Sequence, residues 1–128
     1  MTMIRHIALA ALLAQLASVG AAQAAGSVSA GAQVYANQCA MCHSNQPGGQ
    51  GIGPSLAGVY GKPAASQAGY DFSPALKAAH LIWNDATLNK FLAAPQATVP
   101  GTKMPYAGLT NAAQRANVIA YLASIANP

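Results

Sequence analysis

The chain has 128 residues, of which only 6% are charged, and six basic against two acidic side chains give a formal net charge of +4. An average domain carries roughly 25% charged residues, so most of this surface must consist of Ala, Gln, Asn, Ser and Gly. The length favours a single domain, and the scattered basic residues argue against a nucleic-acid-binding protein.

The N-terminal segment has the pattern of an export signal. Two basic residues precede an apolar run over residues 7–19, which is too short to span a bilayer as a helix. Residues 22–24 then fit the A-x-A cleavage pattern. We therefore expect residues 1–25 to be a signal peptide, cleaved after Ala24 or Ala25, which directs the protein to the periplasm. An uncleaved N-terminal anchor is the alternative.

The expected mature domain, residues 26–128, begins with a helix and a long loop. Ser27 or Ser29 can cap a helix over about 30–42. Residues 44–69 are rich in Gly, Pro and Ser, and a loop of this length in a compact domain usually wraps something functional. No alternating pattern of useful strand length occurs in the chain.

Two helices are predicted in the middle of the chain. Ser73 followed by proline indicates a short helix over about 74–79, with the serine as its cap. Asn84 or Asp85 can cap the next helix, which Pro95 ends. Apolar residues at positions i, i+3 and i+4 mark the buried face of this helix: Leu88, Phe91 and Leu92.

The C-terminal part contains a second irregular segment, residues 95–109, and a last helix that Thr110 or Asn111 can open. The apolar face of this helix follows the i, i+3, i+4, i+7 pattern: Val118, Tyr121, Leu122 and Ile125. The predicted fold class is therefore all-α, with three to five helices joined by long loops.

The most specific chemical signal is the C-x-x-C-H sequence formed by Cys39, Cys42 and His43. Two thiols one helical turn apart can each add to a vinyl group on one porphyrin edge, and the adjacent histidine then becomes the proximal iron ligand. We therefore predict one covalently bound haem c. A disulfide, a thioredoxin-type redox pair and half of a zinc site are the alternatives. The redox pair lacks a βαβ context, and only His80 remains to join a zinc site.

The second iron ligand is assigned by elimination among the four methionines. Met1 and Met3 leave with the predicted signal peptide, and Met41 lies inside the attachment motif. Met104, in a proline-bounded irregular segment, is the favoured distal ligand, which would raise the reduction potential relative to bis-histidine ligation. A gap-filling core methionine is the alternative role, and His80 is the rival ligand.

These motifs resemble those of class I cytochromes c, the family that includes mitochondrial cytochrome c and its bacterial relatives. The resemblance covers nearly the whole expected mature chain, and it implies an all-α fold in which helices and loops enclose the haem. The matching residues are Gly31, Tyr35, Cys39, Cys42, His43, Gly53-Pro54-Ser55-Leu56, Tyr70, Ile82-Trp83, Pro100-Gly101-Thr102-Lys103-Met104 and Ala107-Gly108.

The resemblance also implies roles for individual residues. Gly31 and Tyr35 would lie where the first helix crosses the last. The Pro54 carbonyl would accept the N–H of the proximal histidine. Trp83 would hydrogen-bond a haem propionate, with Tyr70 nearby, and core packing is the alternative role for this tryptophan.

Several positions depart from the family pattern. Phe72 and Phe91, the second of which we expect to contact the haem, stand where the closest relatives usually have tyrosine. Leu76 stands where they often have asparagine, and Lys62 where they have arginine near the propionates. The polar network that surrounds the distal ligand in those relatives is thereby replaced by apolar side chains, so we expect the tuning of the iron to differ.

The resemblance implies an electron-transfer protein rather than an enzyme, with the iron cycling between Fe(III) and Fe(II) while both axial ligands stay bound. An enzyme or gas sensor would need an open iron site. The expected partners are a redox protein donor and acceptor, such as a respiratory complex or a periplasmic dehydrogenase or oxidase. We expect a monomer that is not an integral membrane protein; the alternative is a haem-bearing subunit of a larger periplasmic complex.

The expected docking surface is poor in charge. The four lysines either steer docking or are simply solvated, and their small number predicts weak long-range steering. Short-range apolar contact at the exposed haem edge would then decide docking, through Ala40, Met41, Pro105 and Tyr106.

Overall fold

The computed structural model describes residues 25–128, so the predicted signal peptide lies, apart from Ala25, outside the described residues. Within the described range the chain forms five helices and no strand, which confirms the all-α class. The helices are α1 (Val28–Gln38), α2 (Pro74–Ala78), α3 (Asp85–Ala93), α4 (Pro95–Thr98) and α5 (Ala112–Ser124). None of the helices in this range has the length and apolar character needed to cross a membrane.

Four of the five helices begin at a side chain that accepts a hydrogen bond from a backbone N–H in the first turn. Where the sequence left two candidates, the structure selects Ser27 for α1, Asn84 for α3 and Asn111 for α5. The predicted Ser73 cap of α2 is confirmed. These side chains satisfy N–H groups that have no partner inside the helix, and they set where each helix starts.

The structure corrects two predicted boundaries. The first helix ends at Gln38, earlier than expected, because the chain then tightens into a turn in which the N–H groups of Cys42 and His43 both donate to the Cys39 carbonyl. Pro95 does follow the end of α3, but it also opens the four-residue helix α4 inside a segment predicted to be irregular. Proline fits the first position of a helix because its missing N–H would have no partner there.

Helices α1 and α5 cross at the glycine expected from the sequence. A Cβ atom on Gly31 would lie 1.9 Å from the backbone oxygen of Asn117, so no larger residue fits without moving a helix. Beside this contact the rings of Tyr35 and Tyr121 pack with their centroids 5.3 Å apart. The buried face of α5 includes Ile119, which the periodicity had not singled out.

The apolar core is divided into three clusters. The first contains Val34, Tyr35, Leu109 and Val118, the second Phe72, Leu76, Phe91 and Val99, and the third Leu88, Ile119 and Leu122. Residues of all three clusters line one central cavity. The helices and loops therefore pack around this cavity rather than around a continuous core.

Candidate functional site

The central cavity has a volume of about 370 Å³, which lies in the range of cofactor-binding cavities. Its wall is formed mainly by apolar side chains of the three core clusters. Every residue that the sequence predicted to contact haem or iron lines this one cavity: Cys39, Cys42, His43, Pro54, Tyr70, Trp83, Phe91 and Met104.

One side of the cavity, which we call the histidine side, is formed by residues 39–56. Backbone hydrogen bonds fold this segment onto itself: the N–H of Gly53 donates to the Cys42 carbonyl at 2.9 Å, and the N–H of Leu56 donates to the Ser44 carbonyl at 2.8 Å. The Tyr35 hydroxyl of α1 also donates to the His43 carbonyl. Backbone bonds thus hold the loop against the attachment motif.

The orientation and tautomer of His43 are set by its neighbours. Its Nδ1 lies 2.7 Å from the Pro54 carbonyl oxygen. A carbonyl oxygen only accepts, so Nδ1 carries a proton, and in the neutral tautomer this leaves the lone pair of Nε2 for a metal. A Cβ atom on Gly53 would lie 2.5 Å from Cε1 of the ring, so this glycine allows the imidazole and the loop to lie in direct contact.

The two cysteines are not joined in a disulfide. Burial, and to a smaller extent the neighbouring Cys42, raise the pKa of the Cys39 thiol to about 11. No group of three or more His, Cys, Asp or Glu side chains suited to a metal ion occurs within residues 25–128.

The other side of the cavity, which we call the methionine side, is formed by residues 70–76 and 91–104. Met104 is half-buried and packs against the second core cluster, which includes Phe72, Leu76 and Phe91. The rival ligand His80 is exposed and does not line the cavity. The geometry therefore favours the methionine over the histidine as a group that can reach a metal in the cavity.

Two aromatic pairs extend the methionine side. The rings of Trp83 and Phe91 have centroids 5.1 Å apart, and those of Tyr70 and Phe72 meet edge to face at 4.8 Å. The backbone of Trp83 is held by the loop, since its N–H donates to the Lys62 carbonyl at 2.9 Å. These rings place an indole N–H and a phenol at the cavity wall, where either can meet a polar edge of a ligand.

The sequence did not predict the contacts that hold the backbone around Met104. The Lys103 ammonium lies 2.7 Å from Oδ2 of Asp71, and this hydrogen-bonded ammonium holds the pKa of that carboxyl below its usual value. Gln96 of α4 donates to the carbonyls of Thr102 and Met104. No local pattern marks either contact, because the partners lie far apart in sequence or in an unpredicted helix.

The mouth of the cavity carries exposed apolar side chains. Met41 is 91% exposed and Ile52 is 76% exposed, and both also line the cavity. Pro105 and Tyr106, predicted as docking residues, line the cavity as well, whereas Ala40 is exposed outside its lining. Ile52 was missed, although a large apolar residue between two glycines of the loop was a usable signal.

Comparison with known proteins identifies this arrangement. The family model described as cytochrome c matches residues 28–126, nearly all of the described chain. The chain belongs to the cytochrome c family. As in that family, it binds one covalently attached haem c, and the residues of the cavity fit this group: two thiols, an imidazole with a free Nε2 and a thioether share one apolar cavity.

Individual relatives agree with this assignment. The chain is 51% identical over 87 residues to cytochrome c2 iso-2 of Magnetospirillum fulvum, covering 68% of this chain and 91% of that protein. It is 43% identical over 121 residues to cytochrome c2 of Rhodomicrobium vannielii, covering 94% and 96% of the two chains. The structure is similar to that of cytochrome cH from Methylobacterium extorquens, with a TM-score of 0.73 and 40% identity over 77% of this chain and 99% of that one. The protein is thus a haem-based electron-transfer protein.

Proposed function

We propose that this cytochrome c is a periplasmic electron carrier in which His43 and Met104 are the axial ligands of the haem iron. The observation that carries the proposal is that an imidazole with a free Nε2 and a half-buried thioether line the same cavity as Cys39 and Cys42. The haem iron supplies a one-electron Fe(III)/Fe(II) couple. With both axial positions filled by the protein, no position remains for a substrate, so the protein is not an enzyme.

The surrounding residues keep the ligands in place and water out. The carbonyl of Pro54 orients the imidazole of His43, and this hydrogen bond increases the basicity of Nε2. Phe91 and Met104 line the cavity together, so Phe91 would contact the haem, and the apolar cluster around them would exclude water. Trp83 would hydrogen-bond a haem propionate, with Tyr70 nearby. Rigid ligation on both sides lets an electron enter or leave with little movement of the protein.

The ligation is tested by replacing the proposed distal ligand. Met104→Ala should abolish the weak charge-transfer band of the ferric methionine-ligated iron and should let the ferrous protein bind carbon monoxide. His80→Ala is the matched control and should leave both properties unchanged. If the band survives in Met104→Ala but disappears in His80→Ala, the distal ligand is His80 and the proposed ligation is wrong.

We also propose that redox partners, both donor and acceptor, dock at the cavity mouth through apolar contact. Met41 and Ile52 are the most exposed large apolar side chains there. Two of the four lysines, Lys77 and Lys103, share Asp71 as a counter-ion, at 3.6 and 2.7 Å, so their positive charge is partly balanced. The mouth therefore suits a partner whose own surface is apolar and weakly charged.

The location is tested by fractionating the host cell. The protein should be recovered from the periplasmic fraction with covalent haem, and N-terminal sequencing should begin at Ala25 or Gly26, according to which peptide bond is cut. Gel filtration of the native fraction should give the size of a monomer. A chain that begins at Met1 and stays with the membrane would show that the N-terminal segment is an anchor.

A further inference from the structure

The backbone that carries Met104 is held by side chains from two separate parts of the chain. The first is Gln96 of α4. Its Nε2 lies 3.1 Å from the Thr102 carbonyl oxygen and 2.9 Å from the Met104 carbonyl oxygen. An amide nitrogen has two hydrogens, so one side chain can donate to both carbonyls at once. These carbonyls belong to an irregular segment, where no helix supplies a donor for them.

The second holding contact comes from the segment before α2. The Lys103 ammonium lies 2.6 Å from the backbone oxygen of Asp71 and 2.7 Å from its Oδ2. Lys77 approaches the other carboxylate oxygen of Asp71 at 3.6 Å. This contact fastens the residue next to Met104 to a segment 32 residues earlier in the chain.

Both contacts act on residues 102–104, so they oppose a displacement of the backbone that carries Met104. Two methylene groups join the Met104 sulfur to its backbone, so a displacement of the sulfur beyond their reach requires the backbone to move as well. Gln96 and Asp71 are exposed, and their removal leaves the buried cluster of Phe72, Leu76 and Phe91 intact. Their effect should therefore fall on local opening rather than on the folded core.

We propose that Gln96 and Asp71 are positioning residues that hold Met104 on the iron and thereby limit how often the sixth coordination position opens to outside ligands. The proposal rests on the axial ligation by Met104 proposed above. The proposal also gives α4 a structural role, because Pro95 begins this helix and the helix places Gln96 beside the two carbonyls.

The test measures how fast imidazole binds to the ferric holoprotein when imidazole is in large excess and the rate is limited by loss of Met104 from the iron. Because Gln96→Ala removes neutral hydrogen bonds that stabilise the closed state, it should raise this limiting rate by about three- to tenfold. Gln96→Glu should raise it at least as much, because a carboxylate cannot donate to the two carbonyls. Gln33, an exposed glutamine of α1 outside the cavity lining, gives the matched controls Gln33→Ala and Gln33→Glu, which should leave the rate unchanged.

The second contact is tested in the same way. Asp71→Ala should raise the limiting rate by less than about fivefold, because exposed ion pairs contribute little and Lys103 keeps its bond to the backbone oxygen. In the double variant the two fold-changes should multiply, since both contacts must break in one opening event. A double variant no faster than Gln96→Ala alone would remove Asp71 from the proposal.

Two further measurements separate positioning from general destabilisation and from wrong ligation. Global unfolding in denaturant, followed by helical circular dichroism, should change less than the opening rate does. If imidazole binding accelerates only in proportion to global unfolding, or changes less than twofold in both Gln96 variants, the proposal is overturned. If Met104→Ala leaves the ferric charge-transfer band intact, the proposed ligation by Met104 is wrong. This outcome is distinct from one in which Met104 is the ligand but the Gln96 variants leave the imidazole-binding rate unchanged.

Discussion

The two sides of the haem cavity are built in different ways. On the histidine side, residues close in sequence are joined by backbone hydrogen bonds, such as those from Gly53 to Cys42 and from Leu56 to Ser44. On the methionine side, side chains from distant segments hold an irregular segment in place, as in the contact between Lys103 and Asp71. The histidine side is therefore determined locally, whereas the methionine side depends on the assembled fold.

This difference predicts where substitutions act. Changes on the histidine side should affect whether haem is attached and whether the protein is stable, because the backbone there is hydrogen-bonded to itself and packs against the His43 ring. Changes on the methionine side should affect the reduction potential and the lifetime of the iron–sulfur bond, because exposed or apolar side chains can be replaced without unfolding the core. We expect the largest effects from changes on the histidine side, smaller effects on the methionine side and the smallest effect at the cavity mouth.

The largest effect is expected from removing both attachment thiols. In Cys39→Ser combined with Cys42→Ser, no haem should remain bound after acid–acetone extraction, and the mass should equal that of the mature polypeptide. Met41→Ala, between the two cysteines, is the matched control and should keep the haem mass, since Met41 is 91% exposed. Haem that resists extraction in the double variant would mean that another side chain forms the covalent link.

A smaller loss should follow from adding one methyl group on the histidine side. In Gly53→Ala the new Cβ would lie 2.5 Å from the His43 ring, so the ring or the loop must move. We expect a destabilisation of about 1–3 kcal/mol in denaturant unfolding, accompanied by a changed ferric spectrum.

The matched control for this substitution is Gly69→Ala. At Gly69 no atom lies within 4 Å of a new Cβ, but the backbone has a φ of +81°. For alanine this left-handed conformation should lower the stability by about 1–2 kcal/mol, and the ferric spectrum should not change. If both variants lose the same stability and neither spectrum changes, the close contact with His43 has no influence on the iron.

A change on the methionine side should alter the potential rather than the fold. In Phe91→Tyr the new hydroxyl can donate to the Met104 sulfur, weaken its donation to iron and so favour Fe(II). A hydrogen bond that differs by about 1 kcal/mol between the two oxidation states corresponds to roughly 40 mV for a one-electron couple. We therefore expect the potential to rise by tens of millivolts in protein electrochemistry. An unchanged or lower potential would contradict this interpretation of Phe91.

The smallest effect is expected from salt at the cavity mouth. The screening length falls from about 30 Å at 0.01 M to about 8 Å at 0.15 M ionic strength, which slows charge-steered association steeply. Because the mouth is apolar and two lysines share Asp71, the rate of electron transfer with the native partner should change little in stopped-flow measurements over this range. A steep salt dependence would show that the lysines form a docking patch.

The apolar contact itself is tested by substitution at the mouth. Met41→Gln combined with Ile52→Ser should slow the reaction more than the matched surface change Lys90→Gln.

The sequence by itself determined the chemistry of the protein. The spacing of Cys39, Cys42 and His43 specifies the attached group, because thiols and imidazole must meet one porphyrin edge and its iron within a single turn. Helix starts were predicted at Ser73 and at Asn84 or Asp85, since a cap acts on N–H groups only two or three residues away. Such signals are local, so they can be read without knowing the fold.

The tertiary structure decided what depends on contacts between distant segments. Three features have no local signature: the helix α4, the two hydrogen bonds that Gln96 donates, and the pairing of Lys103 with Asp71. Each needs a partner that only the folded chain brings near. The same holds for the early end of α1, where the turn at Cys39 takes over the backbone hydrogen bonds that a longer helix would make. The sequence thus predicted which residues would meet the haem, and only the fold brought Gln96 and Asp71 to the segment that carries Met104.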